Sequence, residues 1–159
     1  MLRKLVLLSL VVTAAAAIAG TAGTARAGMT LKLGKPDLQA RVLITLPMTV
    51  SCSPFDPTLA MASSNVSVSV EQAVTKTAIA RGFAFAPQMV DNPILYPCDD
   101  SPHTVTLNVL ADTAGPPFKK GPAVFSASAQ AAAGTPCGPG CFFNPVFQNA
   151  SLTQVLTMK

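Results

Sequence analysis

Val66-Ser67-Val68-Ser69-Val70-Glu71 sets apolar and polar residues in strict alternation, with valine at every even position. Successive side chains of an extended chain point to opposite faces, so this stretch reads as a strand with one face buried and the other in water. β-Branched valine suits that pleated, half-buried setting. The same period of two recurs on both sides. Upstream, Val42, Ile44, Leu46, Met48, Val50 and Cys52 form one apolar face, with Pro47 on the other. Pro47 has no ladder donor, so the run is expected to break there into two strands or to lie at a sheet edge. Downstream, residues 77–85 put Ile79, Phe83 and Phe85 on one side and Ala78, Ala80, Gly82 and Ala84 on the other. Residues 103–111 set Val105, Leu107 and Val109 against Thr104, Thr106 and Asn108, and residues 151–158 align Leu152, Leu156 and Met158. In residues 123–133, Ala and Phe alternate with Ser and Gln. The alanines of 126–133 would tolerate a helix, but the alternation and the following Gly134-Thr135-Pro136 favour a strand.

The connecting segments are Ser53-Pro54-Phe55-Asp56-Pro57, Asp91-Asn92-Pro93, residues 112–117 and residues 134–145. All are dense in Pro, Gly, Asp and Asn, the residues of turns. About seven short alternating strands separated by such turns imply an all-β fold, an antiparallel two-sheet immunoglobulin-like sandwich.

The chain starts with Arg3 and Lys4, continues through an uncharged apolar run over residues 5–18 and reaches Ala25-Arg26-Ala27, a small-x-small cleavage pattern. This is the form of a secretory signal peptide. Residues 1–27 are therefore expected to be removed, leaving a single domain over residues 28–159, or 159 − 27 = 132 residues. The whole chain has 11 Lys+Arg and 7 Asp+Glu, a net charge of +4. Arg3, Lys4 and Arg26 leave with the leader, so the mature balance is 8 − 7 = +1. The remaining cations are scattered apart from Lys119-Lys120, which gives no electrostatic footprint for nucleic acid. No second apolar run has the length of a membrane span. Leu46-Pro47-Met48-Thr49 lacks the glycine of a wall-sorting signal, and no cysteine stands at the cleavage site to accept a lipid. The expectation is a secreted protein with no membrane anchor.

Cys52, Cys98, Cys137 and Cys141 are an even number in an exported chain, which reads as two disulfides. Of the three connectivities, Cys52–Cys98 with Cys137–Cys141 is favoured, because Gly138-Pro139-Gly140 can bend tightly enough to close a small ring. One histidine and no CxxC pair leave no ligand set for zinc, and no metal or cofactor is expected.

Several segments together carry a resemblance: Val66-Ser-Val-Ser-Val-Glu-Gln, Ile79-Ala-Arg-Gly, Cys98-Asp ahead of His103-Thr-Val-Thr-Leu-Asn-Val, and Phe118-Lys-Lys-Gly-Pro-Ala-Val. Over residues 42–133 the chain resembles small exported proteins of actinomycete-type bacteria with immunoglobulin-like sandwiches. The resemblance implies fold and export and transfers no catalytic residue. Residues 135–147 depart from that pattern. In length, cysteine count and short Cys137–Cys141 ring the chain is also similar to chromoproteins of the neocarzinostatin type, exported sandwiches that hold an apolar chromophore. The wide Cys52–Cys98 spacing differs from that family.

Hydrolytic catalysis needs a nucleophile, a base and an orienting group within mutual reach. His103 is the only imidazole, it follows Asp99-Asp100-Ser101-Pro102, and no Gly-x-Ser-x-Gly elbow is present. The segment reads as a turn before a strand, with His103 exposed. Glu71 is the only glutamate, on the polar side of its strand, and Asp91, Asp99, Asp100 and Asp112 do not form the spaced array of a calcium loop. The chain is expected not to be an enzyme. Asn65-Val66-Ser67 and Asn149-Ala150-Ser151 match the glycosylation acceptor pattern, but both fall in strand context.

The unusual feature is aromatic content in the segments between strands. Phe142, Phe143 and Phe147 lie beside the Cys137–Cys141 ring, and Phe55 and Phe118 occupy other Pro-rich stretches. Either a rigidified loop presents Phe to a partner, or these rings fold back to plug ends that small Ala and Val inner faces leave underpacked. The leading expectation is a non-enzymatic domain that binds a protein, cell-surface or small apolar partner through Phe142, Phe143 and Phe147. The alternative is a disulfide-braced protease inhibitor acting through Thr135-Pro136-Cys137-Gly138 or Ser51-Cys52-Ser53-Pro54.

Overall fold

A computed structural model describes residues 28–88, 95–139 and 141–159 of the chain. The leader, Asp91 and Gly140 lie outside the described residues. Eight strands and no helix are found among those described: β1 (Met29–Leu33), β2 (Asp37–Gln39), β3 (Leu43–Cys52), β4 (Ala60–Ala73), β5 (Ile79–Gln88), β6 (His103–Ala111), β7 (Gly121–Gly138) and β8 (Cys141–Met158). They form one antiparallel sheet in the order β1-β3-β6-β5-β4-β7-β8, with β2 also beside β3. The sheet curls until its outer strands meet, so the molecule is nearly a barrel. The β1/β8 closure is made partly by a side chain: Gln148 Nε2 donates to the Ser53 carbonyl at 2.8 Å, and the Ser53 N–H donates to Gly28 O.

Alternation decides which residues point inward. Val66, Val68 and Val70 are fully buried, as are Ile44, Leu46, Met48 and Val50, with Val105, Leu107 and Val109 opposite them. Burying each such side chain contributes roughly 1.5–3 kcal/mol. Val42 does not join this face. It lies exposed in the turn before β3, where its carbonyl accepts the Ala111 N–H.

Pro47 corrects a second expectation. β3 runs unbroken through it and is flanked on both sides, by β1 and β6. The Pro47 carbonyl points toward the β1 side, where it accepts the Gly34 N–H at 2.8 Å. A strand residue directs its N–H and C=O to the same neighbour, so the donor that Pro47 lacks would face the interval between β1 and β2. The ladder is already interrupted there, and the proline removes nothing.

β5 turns its small residues inward. Ala80 is buried while Ile79, Phe83 and Phe85 face out. Space explains the inversion, because two aromatic rings from irregular segments fill the interior. The Tyr96 hydroxyl lies 2.6 Å from the Gln130 carbonyl and 3.0 Å from that of Asn65, its proton shared between the two acceptors. Toward the other end of β4, Phe118 is fully buried, and a Cβ on Gly82 would come 3.0 Å from its Cζ. Small faces on β5 and β7, with Ala127, Ala129 and Ala131, leave room for these rings. The Phe118 segment is held by buried Gln72: its Nε2 donates to the Lys119 and Pro122 carbonyls at 2.8 and 3.3 Å, and its Oε1 accepts the Lys119 N–H at 2.8 Å. Of the aromatic residues between strands, Phe118 is thus a plug, and Phe55 packs half-buried against the core.

The disulfides are Cys52–Cys98 and Cys137–Cys141, with Cα–Cα distances of 4.7 and 5.2 Å. The first ties the end of β3 to the segment entering β6.

Candidate functional site

Residues 134–145, expected as a turn, are the outer part of a long hairpin. β7 continues to Gly138 and β8 starts at Cys141, with pairs Thr135↔Phe143, Pro136↔Phe142 and Gly138↔Cys141. Pro and Gly in these strands are absorbed by two register shifts, Ala133/Thr135 and Pro136/Gly138. Asn144 takes the left-handed conformation (φ 49°) that asparagine tolerates better than most residues, and Pro145 follows where the ladder is interrupted. The Cys137–Cys141 bond crosses the tip.

The three phenylalanines separate by environment. Phe142 is half-buried, and a Cβ on Gly134 would come 3.0 Å from Phe142 Cβ, so the close approach needs glycine there. Phe143 and Phe147 are 63% and 53% exposed, with Val146 exposed beside them. They project from a strand pair and not from a loop. No charged side chain occurs anywhere in residues 121–158.

A second apolar group was not picked out by sequence as a site. β5 and β6 are laddered at only two register pairs among the described residues, Gly82↔Ala111 and Phe83↔Leu110. On the outer surface of this seam Phe83 and Leu110, each 63% exposed, border an open groove of about 450 Å³. Its polar rim is Ser69, Asp112 and the Arg81–Glu71 ion pair, at 2.9 Å. The signal available was the segregation of large from small residues over 77–85. Periodicity separates the two faces without saying which one is inside.

At the other end of β6, His103 is half-buried, and its Nε2 lies 2.8 Å from Asp99 Oδ1. Ser101 gives the same carboxylate oxygen its main-chain N–H, at 2.9 Å, and not its hydroxyl. His103 first, and then the Ser101 amide, hold the Asp99 carboxyl below the usual carboxylate range. Asp100 turns away in a left-handed conformation and donates its N–H to Cys52 O. The cluster is a hydrogen-bonded turn that fixes the entry to β6. Asp112 likewise accepts the Ala114 N–H in its own turn. Among the described residues no group of three or more His, Cys, Asp or Glu side chains is gathered as a metal site.

Both stretches suited to a protease-blocking loop have backbone in ladders. Thr135 and Pro136 pair with Phe143 and Phe142, and Ser51 and Cys52 pair with Thr30 and Met29. No helix among the described residues is long and apolar enough to cross a membrane. No family model, curated protein or solved structure matches the chain.

Proposed function

We propose that this chain is a secreted, non-catalytic binding domain of the immunoglobulin-like sandwich type, and that the stapled end of the β7–β8 hairpin is its docking element. One observation carries the reading: Phe143, Val146 and Phe147 stand exposed on a disulfide-braced strand pair, while Tyr96, Phe118 and Phe125 are consumed by the core. Aromatic anchors on a rigid element lose little entropy on binding and concentrate binding energy. The tip lines neither the groove at Phe83 and Leu110 nor the depression over Gln130 and Asn149, whereas small-molecule sites are concave. It therefore suits an apolar groove on a protein partner better than a small apolar ligand.

The sandwich reading draws support from the two weak lines of the sheet. β5 and β6 share two register pairs among the described residues, and Gln148 of β8 reaches across to Ser53, the residue after β3, by its side chain; a sandwich would have its layer boundaries at these two lines. Two disulfides are consistent with an oxidising compartment, as is the leader pattern of residues 1–27.

The test is a Phe143→Ser/Phe147→Ser double variant beside a Phe83→Ser control. The double variant is expected to keep the wild-type melting temperature and lose capture of its protein partner from culture medium, and the control is expected to retain capture. Unfolding of the double variant, or undiminished capture by it, overturns the reading.

A further inference from the structure

The outer face shared by β4, β7 and β8 carries three successive cross-strand rows built only of hydroxyls and carboxamides. They are Asn65–Gln130–Asn149, Ser67–Ser128–Ser151 and Ser69–Ser126–Thr153. Within the rows the side chains hold one another. Asn65 Nδ2 donates to Gln130 Oε1 at 3.3 Å, the Ser67 and Ser128 hydroxyls lie 2.8 Å apart, and those of Ser126 and Thr153 lie 3.1 Å apart. Strands about 4.8 Å apart and alternate residues about 6.8 Å along them give a platform of roughly 10 by 14 Å. A shallow depression of about 330 Å³ opens over Asn65, Gln130, Asn149, Ser128 and Ser151. β5 extends two of the rows with aromatic rings: Phe85 is opposite Ser67 and Phe83 opposite Ser69, both exposed.

The face is also free of charge. Residues 60–70 and 121–158 contain no charged side chain, and Glu71, the next residue on this face of β4, is paired with Arg81 at 2.9 Å. Protein surfaces ordinarily intersperse charges for solubility, so a broad uncharged sheet face is a specific choice.

We infer that this face binds a neutral polysaccharide, with the hydroxyl and carboxamide rows meeting sugar hydroxyls and the β5 phenyl rings stacking on the C–H face of a sugar ring. Phosphate, sulfate and uronate ligands, like nucleic acid, are recognised by cations, and the platform has none. The centre of a protein–protein interface is enriched in aromatics, Met and Arg and depleted in Ser, the reverse of these rows. A polyol presents donors and acceptors together, and hydroxyls and carboxamides answer both. Repetition of the rows along the strands suits a polymer, whose successive units add weak contacts into useful avidity. The two acceptor-pattern sequences gain an explanation from the same register: Asn65 with Ser67, and Asn149 with Ser151, are the two ends of the first two rows.

Phe147 lies on the same side of β8 as Asn149 and borders the first row, whereas Phe143 lies beyond the Ala133/Thr135 register shift; polysaccharide binding rests on the polar rows and not on the hairpin tip. The test is retention of the full domain on microcrystalline cellulose and colloidal chitin and in amylose-containing native gels, with alginate and heparin as charged comparators. The expected result is retention on at least one neutral glycan that persists in high salt. Gln130→Ala/Asn149→Ala is expected to weaken it at least tenfold, and Ser128→Arg, which fills the depression, to abolish it. Both variants should melt like wild type, and Phe143→Ser should leave retention unchanged. The inference is overturned by no retention on any neutral glycan, by retention only on the charged polymers, by full retention in both face variants, or by loss in Phe143→Ser alone.

Discussion

Gly82→Ala probes the weakest line in the sheet. Gly82 belongs to one of the two register pairs joining β5 to β6 among the described residues. A Cβ there would come 2.6 Å from the Leu110 carbonyl oxygen, 2.8 Å from Val109 Cγ1 and 3.0 Å from Phe118 Cζ. The first contact is with backbone, so β5 and β6 must separate where they are bonded, and the ring of Phe118 blocks relief toward the core. Overpacking of this kind costs about 1–3 kcal/mol, and losing one or two ladder hydrogen bonds adds about 1 kcal/mol each. Lower unfolded-state entropy returns only ~0.4–1 kcal/mol. The net expectation is a destabilisation of about 2–4 kcal/mol, a fall in Tm of roughly 10 °C for a domain of this size. Urea and thermal unfolding with the disulfides intact measure it. Gly115→Ala is the internal control, since its Cβ would meet nothing closer than 3.7 Å, and it should be neutral or stabilising by up to about 1 kcal/mol. A Gly82→Ala protein melting within about 2 °C of wild type would refute the reasoning.

Gln72→Leu removes three hydrogen bonds from the Phe118 segment and leaves the Lys119 amide unpartnered; it should cost about 2–4 kcal/mol by urea titration. Tyr96→Phe should cost about 1–3 kcal/mol by the same measurement. Burial raises the Tyr96 hydroxyl pKa. The unfolded chain therefore ionises first, so stability is complete below about pH 10 and falls by about 1.4 kcal/mol per pH unit above it. Tyr96→Phe should remove that component of the alkaline slope. Asp99 has the opposite sign, because its lowered pKa gives a contribution that is present near neutrality and lost as pH falls through the carboxylate range; Asp99→Asn should flatten the acid limb of a Tm-versus-pH profile. Replacing Cys52 and Cys98 by Ala, a pair 46 residues apart, should cost about 4 kcal/mol, and the Cys137/Cys141 pair about half that, by denaturant unfolding.

The valines of 66–70 declared their face because alternation and burial coincide there. The disulfide pairing was legible from the short spacing of Cys137 and Cys141. What periodicity could not supply was volume. Over 79–86 two faces were apparent, yet the larger one points out, since Tyr96 and Phe118 occupy the interior from segments with no period of their own. A proline within a strand points to a break because sequence reveals the missing donor but not the neighbour it would face, and at Pro47 that neighbour is the interrupted β1 side. In residues 134–145 turn-forming residues were numerous, but their effect is to shift register within a hairpin whose pairing is set by the strands behind it. The polar rows are visible only once β4, β7 and β8 are aligned, because each row draws one residue from each of three distant segments.

The charge-free run from residue 121 to 158 also fixes how the molecule responds to its medium. Nothing on β7 or β8 gains or loses a proton between acid and alkali, so neither the hairpin tip nor β7 and β8's share of the polar rows can be retuned by pH, and salt has no local charge to screen. Charged side chains sit elsewhere, among them Asp99 and His103 at the entry to β6, Glu71 and Arg81 near the seam, and Lys119 and Lys120 before β7. Acidification or dilution would therefore leave the chemistry of those two strands as it was.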